Sequence, residues 1–309
     1  MGLFQFVVFG LETGALIAVA AMGFTLIYGI VNMINFAYGE YVTIGAYVAW
    51  ASVAVGGLGI WSSLLVATVA TAVLGWVVSR VFFVPLHEQG PIPLLLTSIG
   101  LGFLLRNAFA FFFDVDRRFV DVGAAYGAVP ATTFRFDLPA VTVAGVDLLG
   151  DFFVTTNMLV TMALAVVLLG GLHGLLTRTD LGIAMRATAS NESLAELSGV
   201  PAYTVRQYTW VIASALAGVG GVLLLTRESA SPVVGFDQIL FVLAAAILGG
   251  AGSIYGAVVG AVVIGLSREI VAGLGVPVLS DVPVSVAFLV LVVILLVRPE
   301  GIAGEEVSS

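Results

Sequence analysis

Long stretches without a single charged side chain dominate this sequence. Thr13–Gly39, Tyr41–Ser79 and Gln238–Ser267 contain no Asp, Glu, Lys or Arg. An α-helix needs about 20 apolar residues to cross the hydrocarbon core of a bilayer. Each stretch exceeds that length, and none alternates between apolar and polar residues as barrel strands do. The pattern therefore predicts several membrane-spanning helices.

Composition supports a membrane protein and argues against several other classes. Hydrophobic residues make up 60% of the 309 residues and charged residues only 10%, whereas soluble domains carry about 25% charged residues. With no cysteine and two histidines, we expect no disulfide, metal site or cofactor. With no lysine and no hydrolase motif, we expect no enzyme activity, and any ATP would be bound by another subunit.

The charge balance is acidic. All 11 basic residues are arginines and 19 residues are acidic, which gives a net charge of −8. This balance argues against nucleic acid as a partner. An acidic chain without lysine also suggests a halophilic source, where acidic surfaces stay soluble in strong salt.

Charges and glycine breaks divide the chain into nine hydrophobic segments, with eight to ten plausible. We expect an all-α polytopic membrane protein with some broken or re-entrant helices, forming one membrane domain over residues 1–309. The segments cover about 3–28, 40–56, 61–83, 93–113, 153–176, 207–226, 236–248, 254–271 and 283–297.

Two loops are large, Asp114–Asp151 and Thr177–Arg206. Each carries three arginines, so the positive-inside rule does not orient the chain. The second loop has apolar residues at helical spacing, with Asn191 or Ser193 as a candidate N-cap and Gly199 as a candidate helix end. Its apolar face could lie on lipid or dock into a groove of a soluble partner.

Two segments interrupt the apolar runs. Asn32, Asn35 and Glu40 lie among apolar residues after the first segment, and we expect this stretch to be structured within the protein or to line water, rather than to form a surface turn. The glycine-rich stretch Gly249–Ser253 is typical of a discontinuous transporter helix, although a tight connection between ordinary helices would also explain it.

Small residues and buried charges complete the pattern. Small-residue faces predict close helix packing, with a permeation pathway along one of them as the alternative; they are Gly10/Gly14/Ala18, Ala213/Ala217/Gly221 and Gly252/Gly256/Gly260. Glu12 and Arg106 lie within hydrophobic segments, where charges usually face the bundle interior. Arg106 could pair with Glu12 or Asp114, or extend to the membrane surface.

Several motifs together resemble the LivH-type permeases of branched-chain amino-acid ABC transporters. The first is Gly23–Gly29 (GFTLIYG) followed by Met33–Glu40 (MINFAYGE). The second is Leu248–Ala257 (LGGAGSIYGA), and the third is the ending Arg298–Ile302 (RPEGI). The resemblance extends over nearly the whole chain. Tyr38 stands where the family often has histidine, and Ser190-Asn191 replaces a common acidic pair.

The resemblance implies a plasma-membrane permease subunit that works with a second, LivM-like permease, two cytoplasmic ATP-binding subunits and an extracellular substrate-binding protein. It places the 177–206 loop in the cytoplasm as the coupling segment, the 114–151 loop outside and, with nine spans, the N-terminus outside. The coupling residues would be Arg186, Glu192, Glu196 and Gly199. Asn32, Asn35 and Glu40 would lie along the translocation pathway.

Two kinds of alternative remain open for the function. Within the family, the substrate could be urea, a short amide or another amino acid instead of a branched-chain amino acid. Outside it, the buried charges Glu12 and Arg106 would suit an ion-coupled secondary transporter. Transport by the isolated chain in an ion gradient would separate that alternative from an ATP-driven importer.

Overall fold

The computed structural model describes residues 2–120, 132–136, 139, 141–143, 146–250, 252–273, 283–298 and 301–302. This part of the chain is mainly helical. Its helices are α1 (Leu3–Val31), α2 (Tyr38–Ala54), α3 (Ile60–Val78), α4 (Pro91–Phe113), α5 (Thr156–Arg178), α6 (Asp180–Ser190), α7 (Glu192–Leu197), α8 (Ala202–Arg227), α9 (Val234–Gly249), α10 (Ile254–Gly273) and α11 (Pro283–Val297). Its strands are β1 (Thr133–Phe136), β2 (Val141–Val143), β3 (Val146–Leu149) and β4 (Phe152–Thr155).

Each of the nine predicted segments is helical, and the helices α6 and α7 lie in the predicted coupling loop. Among the described helices, six are long and apolar enough to cross a membrane: α1, α3 with its extension to Gln89, α4, α5, α8 and α10. The helices α2, α9 and α11 have only 17, 16 and 15 residues. The expectation of a polytopic bundle with incomplete helices is therefore confirmed.

The 114–151 loop differs from the all-helical expectation because the segment from Thr133 to Thr155 contains short strands. β1 pairs antiparallel with β4, and β2 pairs antiparallel with β3. The Gln5 side chain joins α1 to this region, since it donates to the Phe153 carbonyl and accepts from the Phe153 N–H at 2.7 Å. Aromatic and β-branched residues in β1 and β4 favour such pairing, which the search for long apolar segments did not detect.

The bundle has two distinct ends. Helix α5 follows directly from β4 and ends at Arg178, just before α6. Its 23 residues span about 34 Å at 1.5 Å per residue. We call the end with the strands the sheet end and the end with α6 and α7 the short-helix end.

Two helices form the centre of the bundle. In the most apolar part of α1, 89% of the residues are buried within the protein, and in α8 the fraction is 83%. The corresponding fractions for α3, α4 and α5 are only 28%, 22% and 17%. Apolar side chains that face outward suit a lipid environment, because lipid tails are as apolar as the protein interior and burial within the protein gains little.

The predicted small-residue faces are packing surfaces. A Cβ on Gly10 or Gly14 would lie 2.8 Å from the backbone of α10, and a Cβ on Gly221 would collide with the backbone of α2 at Val42 and Ala46. A Cβ on Gly260 would collide with the Ala245 carbonyl of α9. The prediction that these faces serve close helix packing is therefore confirmed at these positions.

Candidate functional site: two cavities and an interrupted helix

The backbone leaves helical geometry at Asn32, directly after α1. Asn32 has φ 53° and ψ 45°, and its N–H donates to the Tyr28 carbonyl at 3.0 Å. Asn35 is completely buried, and its Oδ1 accepts from the Ala37 N–H at 3.1 Å. Its Nδ2 has no hydrogen-bond partner among the described residues. The stretch is thus structured within the protein, as the sequence predicts.

After this break the chain returns into the middle of the bundle. The Tyr38 hydroxyl donates to the Ala213 carbonyl at 3.0 Å and occupies the space beside Gly23, where a Cβ would collide with it. Gly23 lies eight residues before the end of α1, about 12 Å along its axis. Helix α2 therefore begins inside the bundle, which explains why it is short.

Glu40 is 1% exposed and forms an ion pair with Arg106 of α4. The Arg106 Nη2 and Nε both donate to Glu40 Oε1, at 2.7 and 3.1 Å. The Arg106 guanidinium carbon also lies 3.7 Å from the centre of the Phe236 ring. The predicted partners of Arg106, Glu12 or Asp114, are therefore wrong, because the fold brings α2 rather than α1 against this part of α4.

Glu12 lies in a different polar cluster, close to the sheet end. It interacts electrostatically with Arg227 and Glu269. Arg227 donates to Thr13 Oγ1 at 2.5 Å and to Glu269 Oε1 at 3.1 Å, and the Thr13 hydroxyl donates to Glu269 Oε1 at 2.8 Å. These contacts join α1, α8 and α10, and Arg227 is an opposite charge that Glu12 and Glu269 share within the bundle.

A cavity of about 640 Å³ opens at the sheet end, and we call it the sheet-end cavity. Its walls come from the second half of α4, the loop after it, the turn between α8 and α9, and the start of α9. Arg106, Arg117, Arg227, Glu228 and Asp237 give it charged lining. An antiparallel bridge between Arg118 and Ala230, with both backbone hydrogen bonds at 2.8 Å, joins the two loops that border it.

A second cavity of about 880 Å³ lies at the short-helix end, and we call it the short-helix cavity. It is lined by the last turns of α1, including Thr25 and Asn32, by α6 from Met185 to Ser190, and by the turn Gly252–Tyr255. Thr25 is completely buried, and its hydroxyl has no hydrogen-bond partner in the described part of the chain. The three predicted pathway residues thus lie in different places. Asn32 lines this cavity, Glu40 pairs with Arg106 in the wall of the other, and Asn35 is not among the lining residues of either.

The glycine-rich stretch separates α9 from α10 by a sharp turn. Gly250 and Gly252 have φ 99° and φ 93°, a backbone region that residues with a Cβ rarely adopt. The Ile302 N–H donates to the Leu248 carbonyl at 2.8 Å, so the end of α9 also binds a residue near the C-terminus. A Cβ on Gly249 would collide with Gly256, and a Cβ on Gly260 would collide with Ala245, so α9 and α10 pack against each other in opposite directions. The stretch is therefore the tight connection between two helices, rather than a discontinuous helix, and its turn lines the short-helix cavity.

The predicted coupling loop contains two capped helices. Thr179 accepts from the Gly182 N–H at the start of α6, and Asn191 accepts from the Leu194 N–H at the start of α7. After α7, Gly199 has φ 87°, and the Val200 N–H donates to the Ala195 carbonyl at 2.9 Å. The predictions of an N-cap at Asn191 and a helix end at Gly199 are confirmed.

Charged residues of this loop attach the short helices to the bundle. Arg186 donates to the Leu176 carbonyl at the end of α5. Glu192 binds Arg206 of α8 and lies 3.5 Å from His87 Nε2 in the 3₁₀ turns after α3. Glu196 is exposed. Glu192 is therefore the predicted coupling residue that joins three elements.

The apolar residues of the two short helices divide into inward and outward sets. Met185 of α6 and Ala195 of α7 are 1% and 4% exposed, and both pack inward. Leu194 and Leu197 of α7 are 61% and 86% exposed. The loop thus exposes two leucine side chains. This fits either alternative for its apolar face, contact with lipid or docking into a groove of a soluble partner.

Sequence reasoning missed several residues of the two cavities. Arg227 and Asp237 were not singled out, because they lie at helix ends where charges are common. Thr25 was hidden within an apolar segment. Their common signal is a polar side chain that borders a buried space, and only the packing of distant helices reveals it. Within the described residues, no cluster of three His, Cys, Asp or Glu could hold a metal ion.

Comparison with known proteins gives full-length matches. Residues 6–297 match the family described as branched-chain amino acid transport system / permease component. The chain is 31% identical to the high-affinity branched-chain amino acid transport system permease protein BraD of Pseudomonas aeruginosa, over 97% of this chain and 95% of BraD. It is 30% identical to the LivH permease protein of Escherichia coli strain K12, over 96% and 93% of the two chains.

More distant matches extend this pattern. A probable LivH permease of Methanocaldococcus jannaschii is 29% identical over 94% of this chain and 89% of the relative. The LivM permease protein of Escherichia coli strain K12 is 27% identical over 82% of this chain but only 60% of LivM. No solved structure matches the chain.

Proposed function

Because this chain belongs to the family of permease components of branched-chain amino acid transport systems, we propose that it is the LivH-type subunit of an ATP-driven importer. It would carry branched-chain amino acids across the plasma membrane together with a second, LivM-like permease. Two cytoplasmic ATP-binding subunits would drive it, and an extracellular binding protein would deliver the substrate. The weaker similarity to LivM supports a partner of related fold.

The observation that supports alternating access is a closed region between two cavities. Phe24 is the sequence neighbour of Thr25, which lines the short-helix cavity. Glu40 pairs with Arg106, which lines the sheet-end cavity. Between them, the rings of Phe24, Tyr38 and Tyr41 follow one another edge to face, with centroids 5.8 and 6.1 Å apart. These three residues are at most 2% exposed, so the proposed barrier is buried and aromatic. Repacking it would connect the two cavities.

The position of α6 supports a coupling mechanism. Helix α6 forms one wall of the short-helix cavity, opposite the end of α1 and beside the turn after α9. A force on α6 and α7 would therefore reach the break after α1 and the turn between α9 and α10 directly. ATP-driven closure of the partner subunits would provide that force, and the glycine-faced helices would repack in response.

This proposal places the short-helix end in the cytoplasm and the sheet end, with the N-terminus, outside. The chain has no cysteine, so single cysteines report their own position. In intact cells, we expect a membrane-impermeant maleimide to label Asp116→Cys but to label Ser193→Cys only after permeabilisation. Both positions are exposed. The reverse pattern would overturn the assigned orientation.

The exposed leucine of α7 tests the proposed ATPase contact. In proteoliposomes that contain the complete transporter, we expect Leu197→Asp to reduce ATP-driven leucine uptake about tenfold or more. The reason is that a charge would replace an apolar side chain at the proposed ATPase contact. Leu58→Asp is the matched control, since Leu58 is 40% exposed beyond α2, at the sheet end. Equal losses in both variants, or full uptake in Leu197→Asp, would contradict this contact.

The same proteoliposomes test the substrate. We expect saturable uptake of leucine, isoleucine and valine that requires ATP and the binding protein, and no comparable uptake of urea or short amides. Transport by the permease alone in an ion gradient would instead support a secondary transporter.

A further inference from the structure

We propose that the sheet-end cavity binds a zwitterionic amino acid, with Arg106 holding its carboxylate and Asp237 holding its ammonium group. This inference rests on the proposed function and assigns the part of the chain that receives the substrate. The cavity volume of about 640 Å³ lies within the usual range for small-molecule sites, about 300–1,000 Å³.

Arg106 lines the cavity and retains hydrogen-bonding capacity. A guanidinium group has five N–H donors. Glu40 accepts from only two of them, the Nε N–H and one N–H of Nη2. Nη1 makes no hydrogen bond to the described residues. The Glu40 pair and the Phe236 ring fix the plane of the group, so Nη1 and the second N–H of Nη2 can donate to a carboxylate without rearrangement.

Asp237 supplies the opposite charge in the same cavity. It lies in the first turn of α9 and lines the wall with Arg106. Its carboxylate forms no ion pair with the residues that the structure describes, although it interacts electrostatically with Arg106 and Arg117. A free carboxylate and a partly free guanidinium in one cavity match the two charges of an amino acid.

The remaining lining suits an aliphatic side chain. Apolar residues from α4, the loop after it and the turn before α9 form one part of the wall: Ala110, Val115, Phe119, Pro232 and Val233. Polar residues form another part: Asn107, Arg117, Glu228, Ser229 and Ser231. Arg227 also borders the cavity, but Thr13 and Glu269 already hold it. Arg117 borders the cavity as well, but no described side chain hydrogen-bonds to its guanidinium group, whereas Glu40 and Phe236 hold that of Arg106 in place. The assignment of the carboxylate therefore favours Arg106.

Ligand analogues test each half of the site. We would measure binding of labelled leucine to the assembled transporter in nanodiscs, without the binding protein, and compete it with 4-methylpentanoate, which lacks the ammonium group, or 3-methylbutylamine, which lacks the carboxylate. For the wild type, we expect each analogue to bind about tenfold or more weakly than leucine, since each loses one charge-assisted contact.

Variants then remove one contact at a time. Asp237→Asn should weaken leucine binding about tenfold and abolish the preference for leucine over 4-methylpentanoate. The double variant Glu40→Gln/Arg106→Gln, which leaves no unpaired charge, should abolish the preference for leucine over 3-methylbutylamine. Asp116→Asn is the control, because Asp116 is an exposed carboxylate at the same end outside the cavity lining, and its preferences should match the wild type.

The outcomes separate this site from the proposed function. If the complete transporter takes up leucine but Asp237→Asn keeps both the affinity and the preferences of the wild type, the site is wrong and the function stands. Absence of saturable leucine binding in the wild type would also overturn the site. If the analogue preferences follow the site but no ATP-driven uptake occurs, the site stands and the function is wrong.

Discussion

Replacing Arg106 with glutamine should lower the free energy of unfolding of the permease by about 3–5 kcal/mol, because it leaves a buried carboxylate without its partner. Glu40 is 1% exposed, and Oε1 receives both hydrogen bonds from Arg106. Its Oε2 has no partner within the described chain. A lone glutamine amide cannot compensate the charge.

Titration with sodium dodecyl sulfate in mixed micelles, followed by circular dichroism, would measure this loss. The double variant Glu40→Gln/Arg106→Gln should recover most of the stability, because two neutral amides can share a hydrogen bond. Arg117→Gln is the control, since Arg117 is exposed and forms no ion pair with a described residue; its effect should stay within about 0.5 kcal/mol. If Arg106→Gln is as stable as the control, the pair does not hold α2 to α4.

A valine at Gly221 should destabilise the bundle by about 1–3 kcal/mol or more, because the contact between α2 and α8 has no room for a side chain. A Cβ at this position would lie 2.2 Å from the Val42 carbonyl oxygen and 2.6 Å from the Ala46 nitrogen. Both are backbone atoms, so the two helices would have to separate.

Gly171→Val provides the matched control. Gly171 lies within α5, and beyond its own stretch of helix no described atom lies within 4 Å of where its Cβ would be. Both variants place the same β-branched residue inside a helix, so the difference in thermal melting between them isolates the packing term. Equal melting temperatures would mean that the approach of α2 to α8 is not limiting.

Both predictions concern contacts that hold the short helix α2 within the bundle. Helix α2 begins at membrane depth, and irregular backbone there is tolerated only when protein surrounds it. Close glycine contacts and the Glu40–Arg106 pair provide those surroundings. The proposed aromatic barrier lies in the same region, so the features that stabilise α2 also lie beside the proposed pathway.

Local patterns were sufficient to predict much of this molecule. The nine apolar segments identified the helices of the bundle, because each helix satisfies its own backbone and needs only a long apolar run. Asn191 and Gly199 marked the limits of α7, since capping depends on neighbouring residues alone. The small-residue faces indicated close packing, although not which helix would approach each one. The motifs around Asn32–Glu40 and Gly249–Ser253 were sufficient to indicate the family.

Contacts between distant parts of the chain were decided only by the tertiary structure. Arg106 pairs with Glu40, 66 positions away, because the chain turns back after the break at Asn32 and α2 packs against α4. The two cavities, the cluster around Glu12 and the position of Asp237 likewise depend on how several helices meet. A helix carries its own hydrogen bonds and can be recognised by itself, whereas an ion pair or a cavity wall exists only when separate helices are brought together.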